Sequence, residues 1–181
     1  MPSLINRMIR AAKLDVSLYE EVEADKSALG QAALVVLISS VAAGIGAVSQ
    51  LGVGGIVTTA ILALVGWVIW AFLTYIIGTK LLPVPETKTD LPEMMRTIGF
   101  ATSPGVLNVF GFIPFIGSFI ALIVAVWSFV AMVIAVRQAL DYTSTWRAVG
   151  VCIIGFIVYI IISMVLAGVV GTHDMMAPSA S

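Results

Sequence analysis

Residues 27–79 read SALGQAALVVLISSVAAGIGAVSQLGVGGIVTTAILALVGWVIWAFLTYIIGT, a run without one charged or histidine side chain. At about 1.5 Å per residue, a helical run of that length crosses a hydrocarbon core of about 30 Å twice. It contains one place to turn, Gln50-Leu51-Gly52-Val53-Gly54-Gly55, so spans are expected near 29–49 and 56–79. Thr97 to Val136 is a second uncharged stretch, with a turn at Ile113-Pro114-Phe115-Ile116-Gly117, and predicts spans near 97–113 and 117–136. Ala148 to Val170 supplies a fifth. The fold class that follows is all-α: a polytopic transmembrane helical bundle of about five spans. The third span is the irregular one, because Pro104-Gly105 removes a helical hydrogen bond and clashes with the preceding turn.

Composition supports this reading. Of 181 residues, 60% are apolar and 10% charged, whereas water-soluble folds use roughly 25% charged residues. A net charge of −1 provides no basic footprint, which argues against a nucleic-acid partner and leaves the lipid bilayer as the main surrounding. The lone Cys152 lies in an apolar run and forms neither an internal disulfide nor a cysteine metal site. Five acidic residues precede the first apolar run, which is unlike a secretory signal peptide; that run reads as a retained span.

The connectors fix an orientation. Arg7, Arg10, Lys13 and Lys26 precede span 1; Lys80, Lys88 and Arg96 lie between spans 2 and 3; Arg137 and Arg147 lie between spans 4 and 5. By the positive-inside rule all nine basic residues are cytoplasmic, with the N-terminus inside and the C-terminus outside. Three regions result: a cytoplasmic N-terminal segment 1–26, a five-span domain 27–170, and a small, polar, disordered external tail 171–181. Within the first, Leu4, Ile5, Met8, Ile9 and Ala12 recur at helical spacing opposite Arg7, Arg10 and Lys13, as in an amphipathic helix lying on an anionic leaflet. Ser17-Leu18-Tyr19-Glu20 then matches a capping box, and Asp90 with Pro92 and Glu93 marks another helix start that carries Met94, Met95 and Arg96 to the interface.

Chemistry is sparse. No ionisable side chain lies inside the five spans, so neither a proton relay nor an ion-coupling site is visible. The one histidine, His173, falls in the tail, away from any nucleophile it would activate, and His/Asp/Glu clusters at ligand spacing are missing. We therefore expect no catalytic, metal or cofactor residues. What stands out is small-residue patterning: Gly117, Ala121 and Ala125 recur every fourth position along span 4, a spacing that lets helices approach closely, whether within the chain or between chains. Asn108 is the most polar mid-membrane side chain and is expected to hydrogen-bond between helices. Trp146 and Tyr142 sit where an interfacial aromatic belt would fall, whereas Trp67, Trp70 and Trp127 read as packing or lipid-facing. Glu93, Arg96, Arg137, Asp141 and Arg147 are candidates for an interfacial charge network, or anchors of topology.

Arg96-Thr97-Ile98-Gly99-Phe100-Ala101-Thr102-Ser103-Pro104 resembles the glycine-aromatic-small-x-x-proline signature of the Yip-domain family of membrane proteins. The acidic pre-membrane segment, Gly66-Trp67, Thr74-Tyr75-Ile76-Ile77-Gly78 and Arg137-Gln138-Ala139-Leu140-Asp141 are similar to bacterial members, and the resemblance covers roughly 14–170. It implies five spans, a cytosolic N-terminus and, in eukaryotic members, association with Rab-type GTPases and with each other. This chain lacks the Asp-Leu-Tyr-Gly-Pro motif of many eukaryotic members, so a small-GTPase partner does not carry over. The expectation is a non-enzymatic membrane scaffold of a prokaryotic inner membrane, acting through helix contacts as a homo-oligomer or with other membrane proteins. A small channel or permeability factor, with a polar cavity at Gly99, Pro104, Gly105 and Asn108, is the competing expectation.

Overall fold

A computed structural model describes residues 3–176, and among these every regular element is helical. In chain order they are α1 (Leu4–Ala12), α2 (Val16–Ala24), α3 (Ala28–Gly46), α4 (Val48–Ile76) with a π turn (Ile77–Leu81), α5 (Leu91–Ala101), a 3₁₀ segment (Ser103–Phe112), α6 (Ile116–Ala139) and α7 (Thr145–Met176). Among the described residues four stretches are long and apolar enough to cross a membrane: Ala28–Gly46, Val48–Leu81, Ile116–Ala139 and Thr145–Ile162. Residues 97–113 are not such a helix, because the chain changes from α to 3₁₀ within them.

Large apolar side chains cover the outer faces of the long helices. On α4 Val57, Ile61, Leu62 and Val65 are exposed, on α6 Phe119, Leu122 and Val126, and on α7 Phe156 and Ile157. Helices that are hydrophobic all round have lipid as their surrounding. The protein is a multi-pass membrane protein.

Helix boundaries follow local chemistry. α5 opens on a capping box: Asp90 accepts from the Glu93 amide, the Glu93 carboxylate accepts from the Asp90 amide, and Pro92 occupies the first turn. α2 is capped differently from expectation: the carboxylate of Asp15, not the hydroxyl of Ser17, is its N-cap, accepting from the Ser17 amide. The turn expected at 50–55 is divided. α3 ends at Gly46, α4 begins at Val48, and Gly52 interrupts α4 at φ 65°, ψ 178°, a conformation essentially reserved for glycine.

Two helices end in Schellman turns. In α1 the amides of Leu14 and Asp15 return to the carbonyls of Ala11 and Arg10; in α6 those of Asp141 and Tyr142 return to Gln138 and Arg137. Both turns require a left-handed residue, and Leu14 (φ 61°) and Asp141 (φ 54°) fill a place that usually holds glycine. Helix α7 runs on to Met176, through 171–176 of the expected tail; residues 177–181 lie outside the described residues.

α5 is the hub. It packs against α2, α3, α4 and α6, and Met94 together with every residue from Arg96 to Ala101 is buried. The 3₁₀ segment that continues it lies between α3 and α6.

Candidate functional site

The break after α5 is built from its own hydroxyls. Pro104 has no N–H to give to the carbonyl of Phe100, and the Ser103 hydroxyl donates to that carbonyl instead, at 2.6 Å. The Thr102 hydroxyl donates to Gly99 at 2.7 Å, and Ser39 of α3 donates to the carbonyl of Thr102 at 2.9 Å. The helix is thus interrupted at Thr102, just ahead of Pro104-Gly105, with its freed carbonyls satisfied inside the bundle.

Beyond the break three chain segments meet without side chains between them. A Cβ on Gly46 would lie 1.9 Å from the backbone oxygen of Asn108, and one on Gly117 would lie 2.3 Å from that of Gly111. Gly46, Gly111 and Gly117 form a knot that clamps the 3₁₀ segment between α3 and α6. Gly99 makes a similar close approach: its Cβ would lie 2.7 Å from that of Ala32. Phe100 is fully buried and Pro104 buried.

Gly105 and Asn108 border a cavity of about 330 Å³ whose wall also includes Ser39, Ser128, Trp67 and Trp70. The interhelical hydrogen bond expected of the Asn108 side chain is not among the hydrogen bonds of the described residues; its backbone makes the contact with Gly46. Of the packing candidates, Gly117 is buried in the knot, whereas Ala121 and Ala125 remain exposed on the outer face of α6.

The N-terminal hairpin is locked to this hub by two buried arginines. Arg7, whose side chain is 3% exposed, donates to Glu21 (2.9 Å) and Asp25 (2.8 Å), and to Gln31 of α3 at 2.9 Å. Arg10 pairs with Asp15 and Glu21. Arg96, 3% exposed, donates from Nε to the carbonyl of Val22 at 2.9 Å and also binds that of Glu23, capping the C-terminal end of α2. The indole of Trp127 donates to the carbonyl of Ala12 at 2.7 Å and tethers α1 to the middle of α6.

The amphipathic expectation for α1 needs a correction on one face. Ile5 and Ile9 are exposed, but Arg7 is buried because α2 and α3 cover the polar side with carboxylates and an amide. Signals for these contacts were faint in sequence: an arginine and two acids 14 to 18 residues apart have no periodic relation.

The remaining charge candidates serve the backbone. Arg137 donates to the carbonyls of Tyr142 (3.0 Å) and Thr143 (3.2 Å), fastening the turn between α6 and α7. Asp141 accepts from the Lys88 amide at 3.3 Å, and Arg147 is exposed. Arg96 and Glu93 approach to 3.9 Å. Tyr142, expected in an interfacial belt, is instead buried, and its hydroxyl donates to the carbonyls of Leu82 and Gly78 at the π turn. Trp146 is 82% exposed.

Glu23 is the carboxylate here that is raised, whereas Asp15, Glu21 and Asp25, each hydrogen-bonded to an arginine, are lowered. Partial burial, then Asp141 and Glu93 nearby, raise Glu23 from 4.5 to about 7; Arg96 opposes them and Glu20 adds to them. Between those values the unfolded chain gives up this proton before the folded one, so folding becomes less favourable as pH rises from 4.5 through 7. Glu23→Gln is expected to match the parent near pH 4 and to exceed it at pH 8 by about 1 kcal/mol, after allowance for solvent screening. Thermal unfolding in detergent at the two pH values checks this; an equal gain at both would contradict it.

Among the described residues no group of three or more His, Cys, Asp or Glu is placed to hold a metal ion. A family model described as the Yip1 domain matches residues 17–166. No match is found among curated proteins or among solved structures.

Proposed function

The chain belongs to the Yip1-domain family, and we propose that it is a non-enzymatic membrane scaffold that organises other membrane proteins, or copies of itself, through helix contacts. The observation that carries this is the division of labour along α6. Gly117 is used inside the chain against Gly111, while Ala121 and Ala125, one and two helical turns further along, remain open on the outer face. A stripe of small residues facing outward lets a second helix approach closely, and lipid makes no use of it.

The rigid mounting of the N-terminal hairpin on α3, α5 and α6 supports the same reading, because a scaffold needs a fixed cytoplasmic face. Charge asymmetry supports five crossings with that hairpin inside, α5 and the 3₁₀ segment together forming the third passage. Resemblance to bacterial members supports a prokaryotic inner membrane.

Placing leucine at both Ala121 and Ala125 tests the idea. Both positions are exposed, so the melting temperature in detergent stays within a few degrees of the parent. Capture of a second tagged copy, or of a membrane partner, is expected to drop by about tenfold, which corresponds to about 1.4 kcal/mol of contact. Unchanged capture would refute the proposed contact face.

A further inference from the structure

Among the described residues one buried side-chain polar atom has no hydrogen-bond partner: the indole nitrogen of Trp70. Trp67, three residues earlier, satisfies its own indole on the carbonyl of Met95 at 3.0 Å. Leaving such a donor unpaired in an apolar interior is costly, so the exception calls for an explanation.

Trp70 stands between two cavities. On one side is the cavity at the broken helix, about 330 Å³, bordered by Asn108 and Ser39; on the other is an apolar cleft of about 380 Å³ between α4, α6 and α7. Trp70, Ser128 and Met132 line both, so the two spaces share a wall made of one indole, one hydroxyl and one flexible thioether. The apolar cleft is flanked by Phe129, Phe156 and Ile157, each of which is exposed on the outer, lipid-facing surface.

We infer that these joined spaces form a binding site for a neutral glycerolipid of the diacylglycerol type: its ester and hydroxyl head sits beside Trp70, Ser128 and Asn108, and one acyl chain lies in the cleft. The charge is set by the lining. Neither cavity has an ionisable lining group apart from Cys152, so a phosphate or carboxylate head would be buried without a counter-ion, whereas a neutral head would not. The polarity is set by the donors and acceptors. Trp70 carries an unpaired N–H within the residue that separates the two spaces, and Asn108 and Ser128 offer both kinds of group, which suits a head carrying ester carbonyls and a hydroxyl. Mostly apolar walls with a few convergent polar groups are the ordinary makeup of a small-molecule site.

The cleft shares Ala125 with the exposed stripe of α6, but Trp70 and Gly66 lie off that stripe, so substitutions at these two test the site separately from the scaffold reading. The test titrates detergent-solubilised full-length protein with 1,2-dioctanoylglycerol, and in parallel with dioctanoyl phosphatidic acid, reading bound lipid by native mass spectrometry. Saturable one-to-one binding of the neutral lipid is expected, at least tenfold tighter than that of the phosphatidate.

Trp70→Phe keeps an aromatic ring but removes the N–H donor together with part of the indole's bulk, and is expected to weaken binding about fivefold. Gly66→Leu is the second variant. Gly66 borders the inner cavity and a Cβ there meets nothing within 4 Å, so the leucine fills the space without a clash at its base. Loss of lipid binding with an unchanged melting temperature is the expected result. No saturable binding by the parent, equal affinity for the two lipids, or binding unaffected by either variant would overturn the inference.

Discussion

Arg7→Ala is expected to loosen the N-terminal hairpin by about 3 kcal/mol and to expose residues 1–26 to protease while α3–α7 stay folded. The guanidinium is the one group that touches all three parts of the lock: Glu21 and Asp25 at the two ends of one helical turn of α2, and Gln31 in the first turn of α3. Its removal leaves Asp25 without an arginine and Gln31 without its donor, while Glu21 keeps only Arg10. Both acids keep some solvent, at 29% and 23% exposure, which places the cost toward the lower end of the range for breaking a buried pair.

Arg7→Lys does not restore the lock, because one ammonium cannot reproduce three donors in a planar fork. Asp25 moves less than the loss of an ion pair suggests: it is held at about 2 first by the Ser27 hydroxyl and only then by Arg7. Limited proteolysis followed by mass spectrometry reads the outcome. Cleavage within 1–26 at the parent's rate would show that the hairpin is held by other contacts.

Gly46→Ala is the second large effect. Its added methyl carbon would sit 1.9 Å from the backbone oxygen of Asn108, 3.1 Å from that residue's carbonyl carbon and 3.2 Å from the amide nitrogen of Gly111. These neighbours are backbone atoms, so no rotamer change relieves the overlap; α3 and the 3₁₀ segment must separate. Overpacking of this kind costs about 3 kcal/mol. Gly54→Ala serves as the control, since a Cβ there meets nothing within 4 Å. Equal melting temperatures for the two variants would mean that the glycine knot is not formed.

Elements with local signatures are legible in the sequence. The Asp90–Glu93 capping box is a matter of three-residue spacing, and the interruption near Pro104 follows from one missing N–H. The helix nevertheless gives way at Thr102, because Thr102 and Ser103 carry hydroxyls able to take the freed carbonyls of Gly99 and Phe100. Residues 97–113, expected as a kinked span, are therefore part α-helix and part 3₁₀.

Contacts between distant segments were not legible. Periodicity placed Arg7 on a polar face and could not show that α2 and α3 would cover that face. Arg96 looked like a topology anchor next to Glu93, yet its main partners are carbonyls more than seventy residues away. Trp127 looked like packing, and its indole holds α1. The small-residue stripe on α6 was visible, but which members are spent inside the chain was not, since that depends on where Gly111 comes to lie.

On the reading proposed above, the exposed small-residue face of α6 meets another helix in the membrane. A photoreactive diazirine side chain at Ala121, activated in intact cells, tests it most directly, with Val65 on the outer face of α4 as the reference position. One or a few discrete protein adducts are expected from position 121, and lipid adducts alone from position 65. Lipid adducts alone from both positions would contradict it.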